Sequence, residues 1–372
     1  MLNAQQFGDM LWQAMKNDGK TPSHDVYGNG DQAVVPEYLD SNHLIPSDDV
    51  DWVDEILRAA VVQSYNLSFT KADKKSNQLF SLGYYDQQGL VKFSDFKRVS
   101  GRFNSEYKLF DDHLRIGENI SLSHSWGTSV SNNAALGGTL YEAYKFQSIT
   151  PVKNLEDEYA GNVFSDIPNP MGKLYRNKDN QDKKSRLVGN LYAELHLFDG
   201  LMFKTSFGVD YNNLYRRSFS PKYDELNASE KLSSLSNRNA WNFNWVFTNT
   251  LTYNKTFGDH TINALLGMES LRNRYEYFTA SRDGFPSDDP NFRFLDAGDV
   301  GTQKNSGAAT EYSMVSYFGK LDYNYHDRYL VAFTLRRDGS SRLGNNKWGN
   351  FPAASVGWRI SNEPFFDVEA IS

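Results

Sequence analysis

Strict two-residue alternation over stretches longer than ordinary soluble strands constrains this chain more than any other feature. In residues 61–70 (VVQSYNLSFT), Tyr65, Leu67 and Phe69 fall on one side and Ser64, Asn66 and Ser68 on the other, because successive strand side chains point to opposite faces. The segment 241–254 (WNFNWVFTNTLTYN) is the clearest case. Trp241, Phe243, Trp245, Phe247, Leu251 and Tyr253 share one face, against Asn242, Asn244, Thr248, Thr250, Thr252 and Asn254 on the other.

Further segments with this rhythm are expected at 78–86, 96–109, 114–126, 186–198, 202–216, 261–277, 312–325, 328–337 and 352–361, about eleven strands in all. Their connections alternate between short and long. Short turns are read at KADKKSN after the first strand, Phe110-Asp111-Asp112-His113, Phe198-Asp199-Gly200 and Phe257-Gly258-Asp259, with Asp-Gly a tight-turn dipeptide. The longest connection runs from Gly127 to near Ser185. Tight turns on one side and large loops on the other, with strands of roughly nine to eleven residues or more, predict an antiparallel transmembrane β-barrel in an outer membrane. A soluble sandwich does not sort its connections this way.

Aromatic residues make up 15% of the chain, as interfacial girdles require. Mean hydropathy is nevertheless −0.62, because half of each such strand and all of the loops are polar. With no cysteine, thiolate chemistry and disulfides are excluded. A net charge of −7 with scattered Lys and Arg gives no nucleic-acid footprint. The N-terminal segment reads as an amphipathic helix ending near Gly19 rather than as a signal segment. Together with an odd strand number and a turn-like FFDVEAIS end, it suggests an internal piece of a longer barrel protein.

The segments DWVDEILR (51–58), SYNLSFT (64–70), FSLGYYDQQGLVKFSDFKRVSGRFN (80–104) and above all 317–366 resemble SusC/RagA-type TonB-dependent outer-membrane transporters. In the last segment the match runs through Arg337-Asp338-Gly339-Ser340-Ser341-Arg342, Trp348-Gly349-Asn350-Phe351-Pro352 and Gly357-Trp358-Arg359. The resemblance implies about eleven strands of a 22-stranded barrel, with residues 1–60 as an outer-loop segment bearing a short helix and 61–372 as partial barrel. It also implies import of oligosaccharides or peptides, energised through TonB, beneath a SusD-like surface lipoprotein. Against the family pattern the chain lacks the plug, the TonB-contacting segment and the terminal aromatic strand. A passive porin-like channel and a soluble glycan-binding β-sheet module are the alternatives.

No enzymatic constellation is evident, and no cofactor is expected. Asp48, Asp49, Asp51, Asp54 and Glu55 read as a helix start, and Asp179, Asn180, Asp182, Asp288, Asp289 and Asp296 as turn residues, rather than as cation ligands. Asp338 to Gly344 reads as a turn. The histidines lack metal spacing, and His124 reads as an interface or loop-base residue. The ligand-binding candidates are Trp126, Tyr141, Tyr144, Tyr159, Tyr175 and Tyr223, in or beside the long connections, where rings stack on sugars or pack against a lid protein. Asn242, Asn244, Glu194 and Arg186 face inward, toward water or a plug.

Overall fold

The computed structural model of the chain describes residues 1–130 and 137–366; Asp367 to Ser372, the end of the FFDVEAIS segment, lie outside the described residues. Eleven strands form one antiparallel sheet in simple meander order. They are β1 (Val62–Ala72), β2 (Ser76–Gln88), β3 (Asp95–Leu109), β4 (Leu114–Gly127), β5 (Gln181–Phe198), β6 (Leu201–Ser220), β9 (Ser234–Phe257), β10 (His260–Asp283), β11 (Lys304–Tyr325), β12 (Tyr329–Ser340) and β13 (Trp348–Trp358). A small hairpin, β7 (Tyr223–Glu225) with β8 (Ala228–Glu230), sits in the connection from β6 to β9. Each strand pairs only with its neighbours in this order, so β1 and β13 are the edges.

Period two carries through the register. The row Phe69, Phe80, Phe103, Ile120, Gly189, Val209 and Trp245 crosses seven strands on one face. That apolar face is exposed: Tyr65 is 61%, Phe69 60% and Leu266 64% accessible. Soluble proteins do not leave so continuous an apolar surface to water. Polar residues interrupt that face in places: Gln78, Ser105 and Glu118 form one row on it, with Ser105 Oγ donating to Glu118, Thr205 pairs with Asn249 in another, and Arg272 continues the row beyond Trp245.

The turns follow the expected alternation of short and long. At the short ones, non-glycine residues adopt left-handed backbone, among them Asp111 and Asp112 (φ 53° and 70°) and His326 and Asp327 (φ 58° and 53°). Asp and His tolerate this region better than most residues. Side chains hold it: Arg115 grips Asp112 through Nε (2.7 Å) and Nη2 (2.8 Å), and Asn362 Nδ2 donates to Asp327 O at 2.9 Å. The first turn is shorter than the expected KADKKSN. Asp73 Oδ1 accepts the Lys75 and Ser76 N–H groups, both at 2.8 Å, and lets the strands run almost to the reversal.

Two further expectations need correction. Asp338, Gly339 and Ser340 continue β12 instead of turning, because Arg336 Nε binds Asp338 Oδ1 at 2.7 Å and the ladder pairs Gly339 with Trp348. The N-terminal helix, α1 (Ala4–Asn17), is joined by three others: α2 (Trp52–Ile56), α3 (Thr139–Lys145) and α4 (Pro170–Asn177). Asp51 caps α2 through Val53 and Asp54 N–H, as its place at a helix start suggests.

The two larger buried clusters among the described residues join the segment before β1 to the connection after β4, and a smaller one of Phe219, Leu235 and Phe285 sits at the strand tips beside them. Trp52 and Ile56 pack with Ala143, Phe146, Met171 and Leu174; Ala4, Trp12, Tyr27 and Ala33 pack with Ile149. The Trp52 and Phe146 rings meet edge to face at 4.6 Å, and Trp52 Nε1 donates to Gln147 O at 3.1 Å. Such large buried side chains stabilise the module by about 2 kcal/mol each.

The two faces of β9 predict opposite responses to charge. Leu251 lies between Phe203 and Leu266, whereas Thr248 lies between Ser206 and Glu269. Leu251→Arg is expected to cost about 2–4 kcal/mol in lipid vesicles, and Thr248→Arg to stay within about 0.5 kcal/mol of the parent. Urea unfolding of the two variants checks this; equal losses would show that both faces meet the same medium.

Candidate functional site

Three long connections converge on a cavity of about 520 Å³. Residues 158–159 and 175–179 come from the connection between β4 and β5, 221–225 from that after β6, and 288–293 from that after β10. Its frame is a buried ion pair. Arg176 Nη1 donates to Glu225 Oε1 at 2.6 Å, and Glu225 Oε2 accepts the Asn169 N–H at 2.7 Å. Asn169 in turn caps α4 through Met171 and Gly172 N–H and donates to Val152 O (3.1 Å) and Ala160 O (3.0 Å). At Gly172 a Cβ would lie 2.7 Å from Glu225 Oε1 and 2.9 Å from Tyr159 Cγ, so the close approach requires glycine.

Aromatic rings line this frame, and cations lie over them. The Arg176 guanidinium is 3.8 Å from the Tyr223 ring centre and Lys178 Nζ 3.6 Å from that of Tyr175. Tyr159 and Tyr175 meet at 5.9 Å. On the far wall Arg293 binds Asp179 Oδ2 at 3.1 Å and Asp288 O at 3.0 and 2.7 Å, and covers Phe219 at 4.4 Å. Arg176 and Lys178 cover one face of Tyr223 and Tyr175, and Phe93 and Tyr159 also pack against Tyr175, each at 5.9 Å, so the rings offer a ligand only part of their surface.

Burial pushes the Glu225 carboxyl up from its ordinary value, with Arg176 and the Asn169 N–H opposing. Tyr159 and Tyr223 are also raised by burial. Tyr175 is lowered by the Lys178 ammonium held against it.

Of the six sequence candidates, the structure brings Tyr159, Tyr175 and Tyr223 together and leaves three apart. Tyr141 and Tyr144 are on α3, Tyr141 with Lys145 Nζ 4.4 Å from its ring and Tyr144 exposed. Trp126 is on the apolar face at the end of β4, 5.6 Å from the His124 ring, and His124 Nδ1 lies 2.9 Å from Ser185 Oγ. Arg176, Glu225 and Arg293 carry no sequence signal, since each is one charge among many in polar loops. Of the expected acidic turn residues, Asp289 is engaged locally, accepting the Asn291 N–H at 2.8 Å, whereas Asp182 lies in β5 instead of a turn, because the ladder pairs it with Arg216 of β6, which grips it. Among the described residues no group of three or more His, Cys, Asp or Glu is placed to hold a metal ion.

No family model matches the chain. TonB-dependent receptor P3 of Formosa agariphila is 30% identical over 341 residues, 90% of this chain and 34% of that protein. TonB-dependent receptor SusC of Bacteroides thetaiotaomicron is 28% identical over 353 residues, 87% of this chain and 33% of that protein. Among solved structures, the RagAB peptide transporter superposes with a TM-score of 0.80 at 22% identity, covering 99% of this chain and 43% of that one. The chain thus spans about a third of the length of the curated relatives it matches, and its similarity to SusC/RagA-type TonB-dependent receptors extends over most of its own length.

Glu225 supplies a pH test. A raised folded-state value means that the folded loops take up this proton more readily than the unfolded chain does. The contribution is therefore present below the ordinary carboxylate value and is lost as pH rises through the raised one. Relative to Glu225→Gln, which does not titrate, the parent should gain stability as pH falls through that window. Glu225→Ala leaves Arg176 buried without its anion, at a cost of about 3–5 kcal/mol. Hydrogen exchange over residues 169–176 reads both effects, and a parent that loses protection relative to Glu225→Gln on acidification contradicts them.

Proposed function

Proceeding from this similarity to SusC/RagA-type TonB-dependent receptors, we propose that the chain builds about half the wall of a closed 22-stranded outer-membrane barrel. The whole protein imports oligosaccharides or peptides, with energy delivered through TonB and a SusD-like surface lipoprotein seated over the long connections. The observation that carries this reading is the exposed apolar face running across the meander, with every long connection, the loop core and the tyrosine cavity on one end of the sheet. Such a face requires lipid around it, and such an end suits capture of solute from outside. In this reading residues 1–60 belong to the outer module and residues from 61 onward to the wall. The site binds and passes solute and catalyses nothing.

Tyr175 and Tyr223 present the remaining surface of their rings to that solute. Aromatic contacts of this kind contribute about 0.5–1.5 kcal/mol each. Replacing both with alanine in the full-length protein should weaken uptake of its oligosaccharide or peptide severalfold to about a hundredfold at limiting concentration, with the protein still recovered from the outer-membrane fraction. Unchanged uptake removes the cavity from the path. Uptake that persists when the inner-membrane proton gradient is collapsed marks a passive channel, and a chain soluble without detergent marks a glycan-binding sheet module.

A further inference from the structure

On the polar face of β1 to β5 lies a second constellation, apart from the loop cavity. Register places Ser68, Ser81, Arg102 and Ser121 in one cross-strand row, Asn66, Gly83, Ser100, Ser123 and Arg186 in the next, and Ser64, Tyr85, Arg98, Ser125 and Lys184 in a third. Asn66, Ser81, Ser100, Ser123 and the two β3 arginines line a concavity of about 360 Å³. Gly83 keeps its floor open, because a Cβ there would meet Ser100 Oγ at 2.8 Å and Asn66 Oδ1 at 2.9 Å.

The charge balance of these rows is one-sided. The Arg186 guanidinium is occupied by Asp210, through Nε at 3.0 Å and Nη2 at 2.7 Å. Arg98, Arg102 and Lys184 are exposed, and among the described residues none of them has a carboxylate within ion-pairing distance. Arg98 instead lies 5.8 Å from the Tyr85 ring. In a chain of net charge −7 this is a local reversal of sign. Guanidinium forks match carboxylate geometry, and the surrounding hydroxyls both donate and accept. Arg102 lies four positions along β3 from Arg98, about 13 Å, the span of a short acidic oligomer rather than of one small ion.

We propose that this wall patch binds carboxylate groups of an extended anionic solute, with Arg98 and Arg102 as its specificity-determining residues and the serines engaging the solute's hydroxyl or amide groups. The assignment rests on the import reading, since it is a barrel interior that brings solute to the polar face.

The test uses the full-length protein in detergent and isothermal titration calorimetry with two acid–neutral pairs: tri-glutamate against tri-glutamine, and tri-galacturonate against its methyl ester. The acids should bind about tenfold more tightly than their neutral counterparts at low salt and lose that advantage as ionic strength screens exposed charges. Arg98→Gln with Arg102→Gln should erase the preference, while Arg272→Gln, on the opposite face beside Glu311, should retain it. Preference for tri-glutamate alone identifies a peptide source of the carboxylates, and for tri-galacturonate alone a uronic-acid glycan. Equal binding of acid and neutral probes overturns the proposal. So does a double variant that keeps the preference, or one that only lowers thermal stability, which would assign the arginines to an acidic segment of the protein itself. Import is scored separately by uptake, so acid preference without uptake sinks the transport reading and leaves the binding patch standing.

Discussion

Backbone hydrogen bonding between consecutive strands is the constraint on which everything else in this molecule depends. In a medium without water every N–H and C=O must find a partner within the protein, and a meander ladder supplies those partners while leaving side chains free to differ on the two faces. The ladder of β9 with β10 runs unbroken from His260–Phe257 to Asp283–Ser234. Because side chains need not pack into a central core, one face can be apolar and exposed while the other carries serines, asparagines and arginines. The enclosed hydrophobic core moves to the connections, where Trp52, Phe146 and Tyr27 are buried.

Strand existence and order were legible in the sequence because period two is strong where one face is apolar. Strand ends were less so. Ser234–Ala240, Phe278–Asp283 and Lys304–Glu311 lie in strands yet show little alternation, since the ladder extends by backbone pairing above the apolar band and asks nothing of the side chains there. The helices α3 and α4 were hidden for the opposite reason. Their packing depends on residues far away in the chain, such as Ile56 against the Phe146 and Leu174 cluster. Period two also conceals exceptions: Glu118 sits on the apolar face because parity alone decides where a residue points.

Part of the tyrosine site was legible, as an excess of rings in long connections. Its organisation was not. Which rings meet is decided by Glu225, a single carboxylate that joins Arg176 to the Asn169 backbone and thereby fastens the connection after β6 to α4. The wall patch was hidden in a different way, since Arg98 and Arg102 become neighbours of Ser81, Ser121 and Ser123 only through register. A one-residue slip would send both to the other face.

The loop core has a consequence for how the molecule is assembled. Its two halves lie before β1 and after β4, so the Trp52–Phe146 contact and the 2.8 Å bond from Val50 N–H to Ser148 O join two ends of the chain that the paired strands β1 to β4 hold at the same rim. A hairpin inserted out of register would hold the halves apart. The module therefore acts as a clasp across the rim, tying the segment that precedes the first strand to the long connection that follows the fourth.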